Sequence, residues 1–508
     1  MKKLITLTLA AIMLCSCLLV SCGEEEKKGP VGGEVEINTQ EIDETKVLDL
    51  PKLGEGGFNG HEFRFVSRKL DHASLTTHEI FAETLTGEKV NDAVFTRNAQ
   101  IEREYNCKIT EEQTKSPAAS AKEPLLAGEY YADILFDEAR LLRDLASKSL
   151  LVDFSTLDNT NFEKAWYDKN AVSGLNIGRK VFFVTGEAST LDDRCAWVIW
   201  YNKDYVEEFD PDIDLYEEVR QGKWTANRLY EMIVSTAKDL NGDGYLVPQE
   251  DRMGYVCGRD VNFGHVLACG VTMGIVDDNG TWTIPATPKQ ELLDAWSGLK
   301  LLLTSPAREV AAKVEHFTNG KGAFYAGGVG NAYFMGDCAY PVGVLPMPKL
   351  NEKQEEYVSG VGYSQLCAYS IPTTVTGAED WETNGFTSGA EQVAYFFEVF
   401  SYYSMNYLTP AFFNQVVMKQ GVSDPESAEM VEIAMKHKIY DPIAGYNFGG
   451  INIYAMAGSN NGADLVGTDV NYDNLTSSYE AKVVAARKAL QQYIQFTDYQ
   501  APTPESAA

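Results

Sequence analysis

Alternating acidic and amide side chains between Asp239 and Glu250 have the spacing of a calcium-binding loop. The stretch fits the pattern D-x-[DN]-x-[DN]-G-x5-E without a gap. Calcium binds hard oxygen ligands that are held in a bent loop. The predicted ligands are the side chains of Asp239, Asn241, Asp243 and Glu250 and the backbone carbonyl of Tyr245. The sequence therefore predicts a structural calcium ion, and a tight Asn-Gly-Asp-Gly turn that needs no metal is the alternative.

No pattern of an enzyme active site accompanies this loop. The chain has no Gly-x-Ser-x-Gly, His-Glu-x-x-His, Walker loop, dinucleotide glycine pattern or Cys-x-x-Cys. Its six histidines are scattered without the spacing of metal ligands. The sequence therefore predicts a protein that is not an enzyme and has no organic cofactor. Because acidic residues are abundant, a pair of carboxylates acting on a glycosidic bond is the alternative.

The elements that must position any site begin with alternating strands and helices. Apolar periodicity predicts strands at 61–67, 107–110 and 132–136 and helices at 91–104, 117–128 and 141–147. This alternation is typical of a parallel α/β sheet. Farther along, we expect strands at 180–184, 197–201, 252–256 and 368–372, and helices at 225–240, 289–304, 391–407 and 478–495. No internal repeat is present.

The first 21 residues are typical of an export signal. Lys2 and Lys3 precede an uncharged apolar run at 4–20, which is too short and too poorly flanked to be a spanning helix. The end of this run, up to Ser21-Cys22, resembles a bacterial lipoprotein processing box. That resemblance implies cleavage before Cys22, lipid on Cys22, and a body anchored to the extracellular face of the cell membrane. The alternative is a signal that only loses its apolar segment, or a free Cys22.

The composition limits the classes of partner. The formal charge is −30, with 44% hydrophobic and 23% charged residues, as in an acidic soluble globular protein. Such a charge excludes nucleic acid as a partner and disfavours direct docking on anionic lipid. Downstream of Cys22 the cysteines are too irregularly spaced for a zinc site, and they either pair or serve as small core residues: Cys107, Cys195, Cys257, Cys269, Cys338 and Cys367.

Several local motifs, in one order, resemble an extracellular solute-binding protein of an ABC importer, from the family that contains the maltose-binding proteins. The resemblance covers roughly 60–495 and rests on five segments: Ala132-Asp133-Ile134-Leu135-Phe136, Trp200-Tyr201-Asn202-Lys203-Asp204, Gly222-Lys223-Trp224-Thr225, Phe317 to Ala323, and Val342 to Pro346. It implies an α/β, two-lobed periplasmic-binding-protein-like fold of type II. Each lobe would be a mixed or parallel sheet flanked by helices, and several hinge crossings would join the lobes.

The same resemblance implies a division of the chain. We expect a signal at 1–21, a flexible tether at 22–58, a first lobe at 59–185 and 322–370, a second lobe at 186–321 and 371–500, and a tail at 501–508. It also implies a monomer that binds a carbohydrate or oligosaccharide between its lobes by hinge closure and delivers it to the permease subunits of the importer. A peptide or a polyol is the alternative ligand.

The ligand cleft is expected where strands end and the chain crosses between lobes, because parallel sheets leave a crevice there. Carboxylates, amides and arginine suit sugar hydroxyls, and aromatic rings suit their CH faces. The candidates are Asp137, Glu138, Glu187, Asp192, Arg194, Tyr325, Asn331, Tyr333, Tyr363, Tyr446 and Phe448. For each residue taken alone, a place in a core or on the surface is the alternative.

Two other classes of function remain alternatives. One is a surface enzyme that degrades or modifies glycans, which turnover of a labelled glycan would reveal. The other is an adhesion module, which predicts a flat exposed apolar patch in place of a cleft between lobes.

Overall fold

Strands and helices alternate along nearly the whole chain in the computed structural model. It describes residues 43–69, 78–178, 180–258, 261–277, 280–310, 313–362, 366–377, 381–422, 424–451 and 475–497. The chain separates into two units, Met1–Asp43 and Glu44–Ala508, and every element named below belongs to the second unit. The predicted signal, Cys22, Tyr363 and the predicted tail lie outside the described residues.

The strands are numbered in chain order. Strands β1 to β13 are His61–Arg68, Cys107–Thr114, Ile134–Glu138, Trp197–Asn202, Met253–Cys257, Ile275–Val276, Trp282–Thr283, Arg308–Val310, Gly322–Gly328, Val342–Pro346, Ser359–Gly360, Cys367–Ser370 and Lys438–Ile439.

The helices differ widely in length, and the two longest lie near the end of the chain. The α-helices are Lys89–Tyr105, Pro117–Leu126, Ala139–Ala146, Lys169–Leu175, Leu191–Arg194, Lys203–Phe209, Leu215–Arg220, Ala226–Thr236, Val261–Ala268, Gln290–Gly298, Lys300–Leu303, Val314–Thr318, Ala332–Met335, Gly389–Ala411, Pro425–Lys436, Pro442–Gly445 and Leu475–Thr497. A π-helix, Phe412–Gly421, continues the helix Gly389–Ala411.

The first sheet has the strand order β12-β3-β1-β2. Strand β1 pairs in parallel with β2 and β3, and β12 is antiparallel to β3, so the predicted parallel α/β start is confirmed. The helix Gly389–Ala411 covers this sheet. The ring of its Phe396 stacks on Phe63 with the ring centroids 3.7 Å apart, and Arg97 lies 4.1 Å from the ring centroid of Phe400. This sheet and its helices form the first lobe.

The second sheet has the order β10-β4-β9-β5-β8. Its core includes Trp200 and Trp224, both fully buried, and the Trp224 indole donates to the carbonyl of Pro346 at 2.9 Å. The Thr225 side chain caps the helix Ala226–Thr236, as its residue type predicts. This sheet and its helices form the second lobe.

The predicted division between the lobes is wrong in two places. Strands β9 and β10 pair with β4 on its two sides, so they belong to the second lobe, although 322–370 was expected in the first. The helix Gly389–Ala411 packs on the first lobe, although 371–500 was expected in the second. Local periodicity shows that a strand or helix forms, but it carries no information about which distant element becomes its neighbour.

The expected flexible tether is also shorter than predicted. Phe58 is fully buried and packs edge-on against Phe63, with the ring centroids 4.9 Å apart. The Lys164 ammonium donates to the carbonyls of Glu44 and Val47, each at 3.0 Å. From Glu44 onward the chain is therefore held against the first lobe.

Three other elements differ from the sequence prediction. Within 180–184 only Val184 forms a bridge, to Tyr369, because the N–H groups of Val181 and Phe182 donate to the side chains of Asp153 and Asn176 instead of to a neighbouring strand. The helix expected at 225–240 ends at Thr236, and the helix expected at 289–304 is divided at Leu299.

Three crossing segments join the lobes. The first crossing, 184–197, leads from the bridge to β12 into β4, and the second, 347–366, leads from β10 through β11 to β12. The third crossing, 412–441, contacts the second lobe, where Tyr216 and Ser427 share a 2.7 Å hydrogen bond, and ends in β13, which pairs in parallel with β11.

Two glycines that admit no side chain lie at the ends of the first crossing. Gly186 is near its start, and Gly328 of β9 contacts its end. Gly186 has φ +144°, and a Cβ there would lie 2.3 Å from the carbonyl oxygen of Trp166. A Cβ on Gly328, in β9, would lie 2.2 Å from the carbonyl oxygen of Arg194. The backbone at each end of the crossing therefore approaches its neighbour more closely than an alanine permits.

Among the described residues, the six cysteines of the body form no disulfide with one another, and Cys107, Cys195, Cys257 and Cys367 are buried. They serve as small core residues, which is one of the two alternatives left by their spacing. In the part of the chain that the structure describes, no helix combines the length and the apolar character needed to cross a membrane.

Candidate functional site

At the carboxyl end of β3, Asp137 and Glu138 come together with two arginines. Asp137 accepts from Arg68 at 3.2 Å and from the backbone N–H of Ala118 at 2.9 Å. Glu138 pairs with Arg68 at 2.8 Å and with Arg140 at 2.7 Å. Burial raises the pKa of Asp137, although these donors oppose the shift. Asp137 thus anchors the helix Pro117–Leu126, and the half-exposed Arg140 is the free edge of this cluster.

Arg194 in the first crossing contacts both lobes. Its guanidinium pairs with Glu79 of the first lobe at 2.5 Å and donates to the hydroxyl of Tyr333 of the second lobe at 3.2 Å. It also lies 4.9 Å from the ring centroid of Phe412. Glu79 in turn accepts from the N–H of Thr190 at 2.7 Å. Arg194 and Tyr333, each predicted as a ligand residue, therefore contact each other in one junction, and Glu79 is a member that the sequence did not indicate.

Tyr325 and Asn331 lie within the second lobe. The Asn331 amide donates to the Tyr325 hydroxyl at 3.1 Å, and the Tyr325 ring stacks on Phe317 with the centroids 5.7 Å apart. Tyr325 is 8% exposed. Both residues therefore contribute to packing within the second lobe.

Tyr446 and Phe448 are buried, although the sequence placed them over a ligand. The Tyr446 hydroxyl donates to the carbonyl of Leu175, and the Phe448 ring lies 5.2 Å from the guanidinium carbon of Arg143. Tyr446 and Phe448 are 2% and 3% exposed. They pack the last part of the chain against the first lobe, since an aromatic ring serves a core as well as a binding surface.

A cavity of about 480 Å³ lies where the first and third crossings meet the first lobe. We call it the hinge cavity. It combines carboxylates, lysines and aromatic rings and is lined by Tyr167, Asp168, Lys169, Asn170, Gly186, Glu187, Asp192, Asp193, Phe413, Met435, Lys436 and Lys438. The predicted residues Glu187 and Asp192 belong to it.

Lys438 is the centre of charge in the hinge cavity. Its ammonium nitrogen lies 2.7 Å from an oxygen of Asp168, 2.6 Å from one of Asp192 and 2.7 Å from one of Asp193. Three donors on one nitrogen are thereby matched with three acceptors. The Asp168 carboxylate also accepts from the Tyr440 hydroxyl at 2.7 Å. Sequence analysis missed Asp168 and Lys438 because nothing in their local pattern differs from that of surface residues.

Four carboxylates of the hinge cavity, those of Asp168, Glu187, Asp192 and Asp193, face the single ammonium group of Lys438. Burial raises the pKa of Asp192 to about 7 and of Asp193 to about 6, with Lys438 opposing and the neighbouring carboxylates adding to the shift. Burial, opposed by a hydrogen bond from Thr409, also raises the pKa of Glu187. For Asp168 burial acts upward too, but the charge and hydrogen bond of Lys438 outweigh it and the pKa is lowered.

The predicted calcium loop has the bend that its sequence requires. The Asp239 carboxylate accepts from the backbone N–H of Gly242 at 2.6 Å and of Gly244 at 2.7 Å, and Glu250 accepts from the Asn241 amide at 2.7 Å. Among the described residues no group of three or more His, Cys, Asp or Glu side chains is arranged to hold a metal ion. The five predicted ligands are therefore gathered in one exposed loop that is closed by its own hydrogen bonds.

A larger groove of about 730 Å³ lies on the second lobe, beside the helices Leu215–Arg220 and Ala226–Thr236. Its rim is acidic, and none of the predicted ligand residues lines it. Its lining includes Leu350, Asn351 and Glu352 at the start of the second crossing but no residue of the first lobe, so a ligand bound there would not touch both lobes. We therefore assign the candidate site to the hinge cavity and the adjoining Arg194 junction.

No protein-family model matches the chain, and no curated protein is significantly similar to it in sequence. Among solved structures, UgpB from Mycobacterium tuberculosis, in complex with glycerophosphocholine, is similar with a TM-score of 0.52 at 13% identity, covering 86% of this chain and 98% of UgpB. An ABC transporter solute-binding protein from Thermotoga lettingae, bound with α-D-tagatose, has a TM-score of 0.49 at 12% identity, covering 85% of this chain and 100% of its own.

The ABC substrate-binding protein Lmo0181 from Listeria monocytogenes, in complex with cycloalternan, has a TM-score of 0.46 at 13% identity and covers 86% of this chain and 98% of its own. At such identities a likeness concerns the fold, and only the match to UgpB carries weight here. Together with the two sheets and their crossings, it shows that the chain has the two-lobed, type II periplasmic-binding-protein fold.

Proposed function

We propose that the protein is the substrate-binding component of an ABC importer and that it takes up a carbohydrate or oligosaccharide by hinge closure. The observation that carries the proposal is the hinge cavity, which is lined by the first lobe and by two of the segments that cross between the lobes. A solute that contacts both lobes in only one conformation shifts the equilibrium toward that conformation by its differential affinity. The permease subunits of the importer would then recognise the closed shape.

The chemistry of the cavity supports a polyhydroxylated solute. Glu187 and Asp193 supply acceptors, Asn170 and Lys436 supply donors at the rim, and the ring of Phe413 supplies an apolar face. Sugars use these groups, because their hydroxyls hydrogen-bond to planar polar groups while their CH faces pack on aromatic rings. No covalent step is part of the proposal.

Binding is tested by thermal unfolding of the purified protein with glucose, maltotriose, tagatose and glycerophosphocholine. A bound solute at 100 times its Kd stabilises the folded state by about 2.7 kcal/mol. We expect at least one carbohydrate to raise Tm and the variant Phe413→Ala to lose that increase. The matched control Phe209→Ala removes a half-exposed ring from the second lobe and should keep it.

The same samples separate the alternatives. Chromatography of the recovered carbohydrate should return it unchanged, whereas cleavage products would favour the surface glycan enzyme. Absence of a Tm increase with every carbohydrate, or an increase that Phe413→Ala leaves intact, would reject the hinge cavity as the sugar site.

We also propose two attachments that the sequence pattern supports. One is a calcium ion in the loop Asp239–Glu250, where the curled backbone and the acidic side chains favour a hard cation. The other is a lipid on Cys22 that holds the body, as a monomer, at the extracellular face of the cell membrane. Their tests are given in the Discussion.

A further inference from the structure

Lys438 joins segments that belong to different parts of the hinge. Asp192 and Asp193 stand on the short helix Leu191–Arg194 of the first crossing, whereas Lys438 lies in β13 at the end of the third. Asp168 comes from the first lobe, just before the helix Lys169–Leu175, whose N-terminus it caps. One ammonium group therefore connects two crossings and one lobe.

Each of these segments is firmly attached on its other side. Tyr167, beside Asp168, donates to Glu398 of the long helix of the first lobe at 2.7 Å. Strand β13 pairs with β11, and Ser359 of β11 donates to the carbonyl of Trp197 in β4 at 3.0 Å. Rotation of one lobe against the other must therefore change the distances around Lys438.

The network carries more negative than positive charge. Asp168, Asp192, Asp193 and Glu187 face Lys438, and in the part of the chain described here oxygen Oδ1 of Asp192 is buried without a hydrogen-bond partner. The remaining groups at the network are the Tyr440 hydroxyl, the Thr409 hydroxyl on Glu187, Lys169, which pairs with Glu163, and the exposed Lys436. An unpartnered carboxylate oxygen is costly in a buried site when the group is ionised.

We propose that Lys438 with Asp168, Asp192 and Asp193 forms a proton-sensitive hinge joint, in which protons on the aspartates favour the conformation described here. The proposal rests on the proposed function only in naming hinge motion as the step that is regulated. Lys438 acts in it as a positioning residue for the two crossings.

The direction follows from proton linkage. In this conformation burial raises the pKa of Asp192 and Asp193, whereas a conformation that admits water to the joint would return both toward their ordinary range. The conformation with the higher pKa binds protons more tightly, so acid stabilises it and it loses this advantage as pH rises through 6 and 7. A difference of one pKa unit changes the ratio of the two conformations tenfold.

The test is hydrogen–deuterium exchange of the purified protein without solute, between pH 5 and pH 8, corrected for the intrinsic exchange rate. We expect protection of the peptides that cover 190–196 and 436–441 to fall by about tenfold or more toward pH 8. The double variant Asp192→Asn, Asp193→Asn keeps polar partners for Lys438 without titrating, so its protection should be high and independent of pH.

Two further variants make the result specific. Lys438→Arg keeps a multidentate cation and should retain the pH dependence, and the surface variant Asp144→Asn should behave as the wild type. Equal protection at pH 5 and pH 8 in the wild type, or a pH effect that persists in the double variant, would overturn the proposal. Because no solute is present, either outcome leaves the assignment as a solute receptor to its own test.

Discussion

Glu398 is a buried carboxylate that ties a loop of the first lobe to its longest helix. It accepts from the Trp166 indole at 2.6 Å, the Tyr167 hydroxyl at 2.7 Å and the N–H of Asn161 at 3.2 Å. Burial, partly opposed by these donors, raises its pKa from 4.5 to about 7. The folded state therefore binds the Glu398 proton more tightly than the unfolded state does. This contribution to stability is complete below pH 4.5 and is lost as pH rises through 7.

We expect Glu398→Gln to destabilise the protein by about 1–3 kcal/mol at pH 5, because an amide NH₂ then faces one of the three donors. The amide does not titrate, so the difference from the wild type should be smaller at pH 8. Urea unfolding at the two pH values measures it. Tyr167→Phe removes a donor but keeps the carboxyl group, and its loss of stability should not shrink in this way. A Gln variant with the same deficit at both pH values would contradict the assigned titration.

At the residue scale, the sequence identified the acids of the first crossing but not their partners. Asp192 and Arg194 were predicted from residue type at an expected crossing, and both are in the junctions around the hinge. Glu79 and Lys438 are far from them in sequence, and only folding brings their charges within 3 Å. Tyr446 was predicted for its ring, but a ring also fills a core, and burial depends on long-range packing.

Among the elements, the loop between the helix Ala226–Thr236 and β5 shows which structural features the local sequence predicts and which it does not. Its bend follows from glycines and Asx side chains, which the pattern contained. The helix stops earlier than expected because Ala237 is extended and Lys238 bridges Arg252. Asp251, one residue beyond the pattern, accepts from the N–H groups of Leu240 and Val247 at 2.8 and 2.7 Å and closes the loop.

Metal binding and loop closure can be tested separately, because Glu250 is a predicted calcium ligand whereas Asp251 closes the loop. We expect Glu250→Gln to lower Tm in calcium but not in chelator, because the amide keeps an acceptor for Asn241 and loses the charge that calcium needs. At 100 times its Kd, calcium would contribute about 2.7 kcal/mol to the wild type. Asp251→Asn, by contrast, should lower Tm equally in both buffers. Identical melting curves for Glu250→Gln and wild type in calcium would reject the metal site.

Strands and helices with a strong period were predictable as elements. Strands β1, β3, β4 and β5 were found within two residues, because alternating or continuous apolar runs of that length are typical of strands. Strand β2 begins at Cys107 as expected but ends at Thr114, four residues beyond the prediction. The run at 180–184 has the same period, yet the side chains of Asp153 and Asn176 satisfy its N–H groups. Periodicity records which residues are buried, not what accepts their hydrogen bonds.

For the whole molecule, the strand pairing that defines the lobes was the least predictable feature. More than 100 residues separate β4 from β9 and β10, its two neighbours in the second sheet. The order of the motifs predicted two lobes, and the structure confirms them. The lobe to which a strand belongs, however, depends on its pairing with strands that are more than 100 residues away in the sequence.

An acidic body is not attracted to an anionic membrane, so the proposed attachment would depend on the lipid that we propose on Cys22. We expect the full chain, expressed in a bacterium, to remain with the membrane fraction through a high-salt wash. Cys22→Ser should move it to the soluble fraction and abolish incorporation of labelled fatty acid. Cys17→Ser, a control at a cysteine within the apolar run at 4–20, should leave both unchanged. Membrane retention of Cys22→Ser would show that another segment holds the protein.

The two glycines at the ends of the first crossing, Gly186 and Gly328, could mark the position of the hinge in other sequences. A methyl group at Gly186 or Gly328 would collide with a carbonyl oxygen of the backbone, so neither position tolerates substitution while the hinge keeps its path. Sequences that have drifted to 13% identity retain few recognisable landmarks. A glycine pair about 140 residues apart, flanking an acid-rich turn and a strand of tryptophans, would locate the hinge in distant homologues from sequence alone.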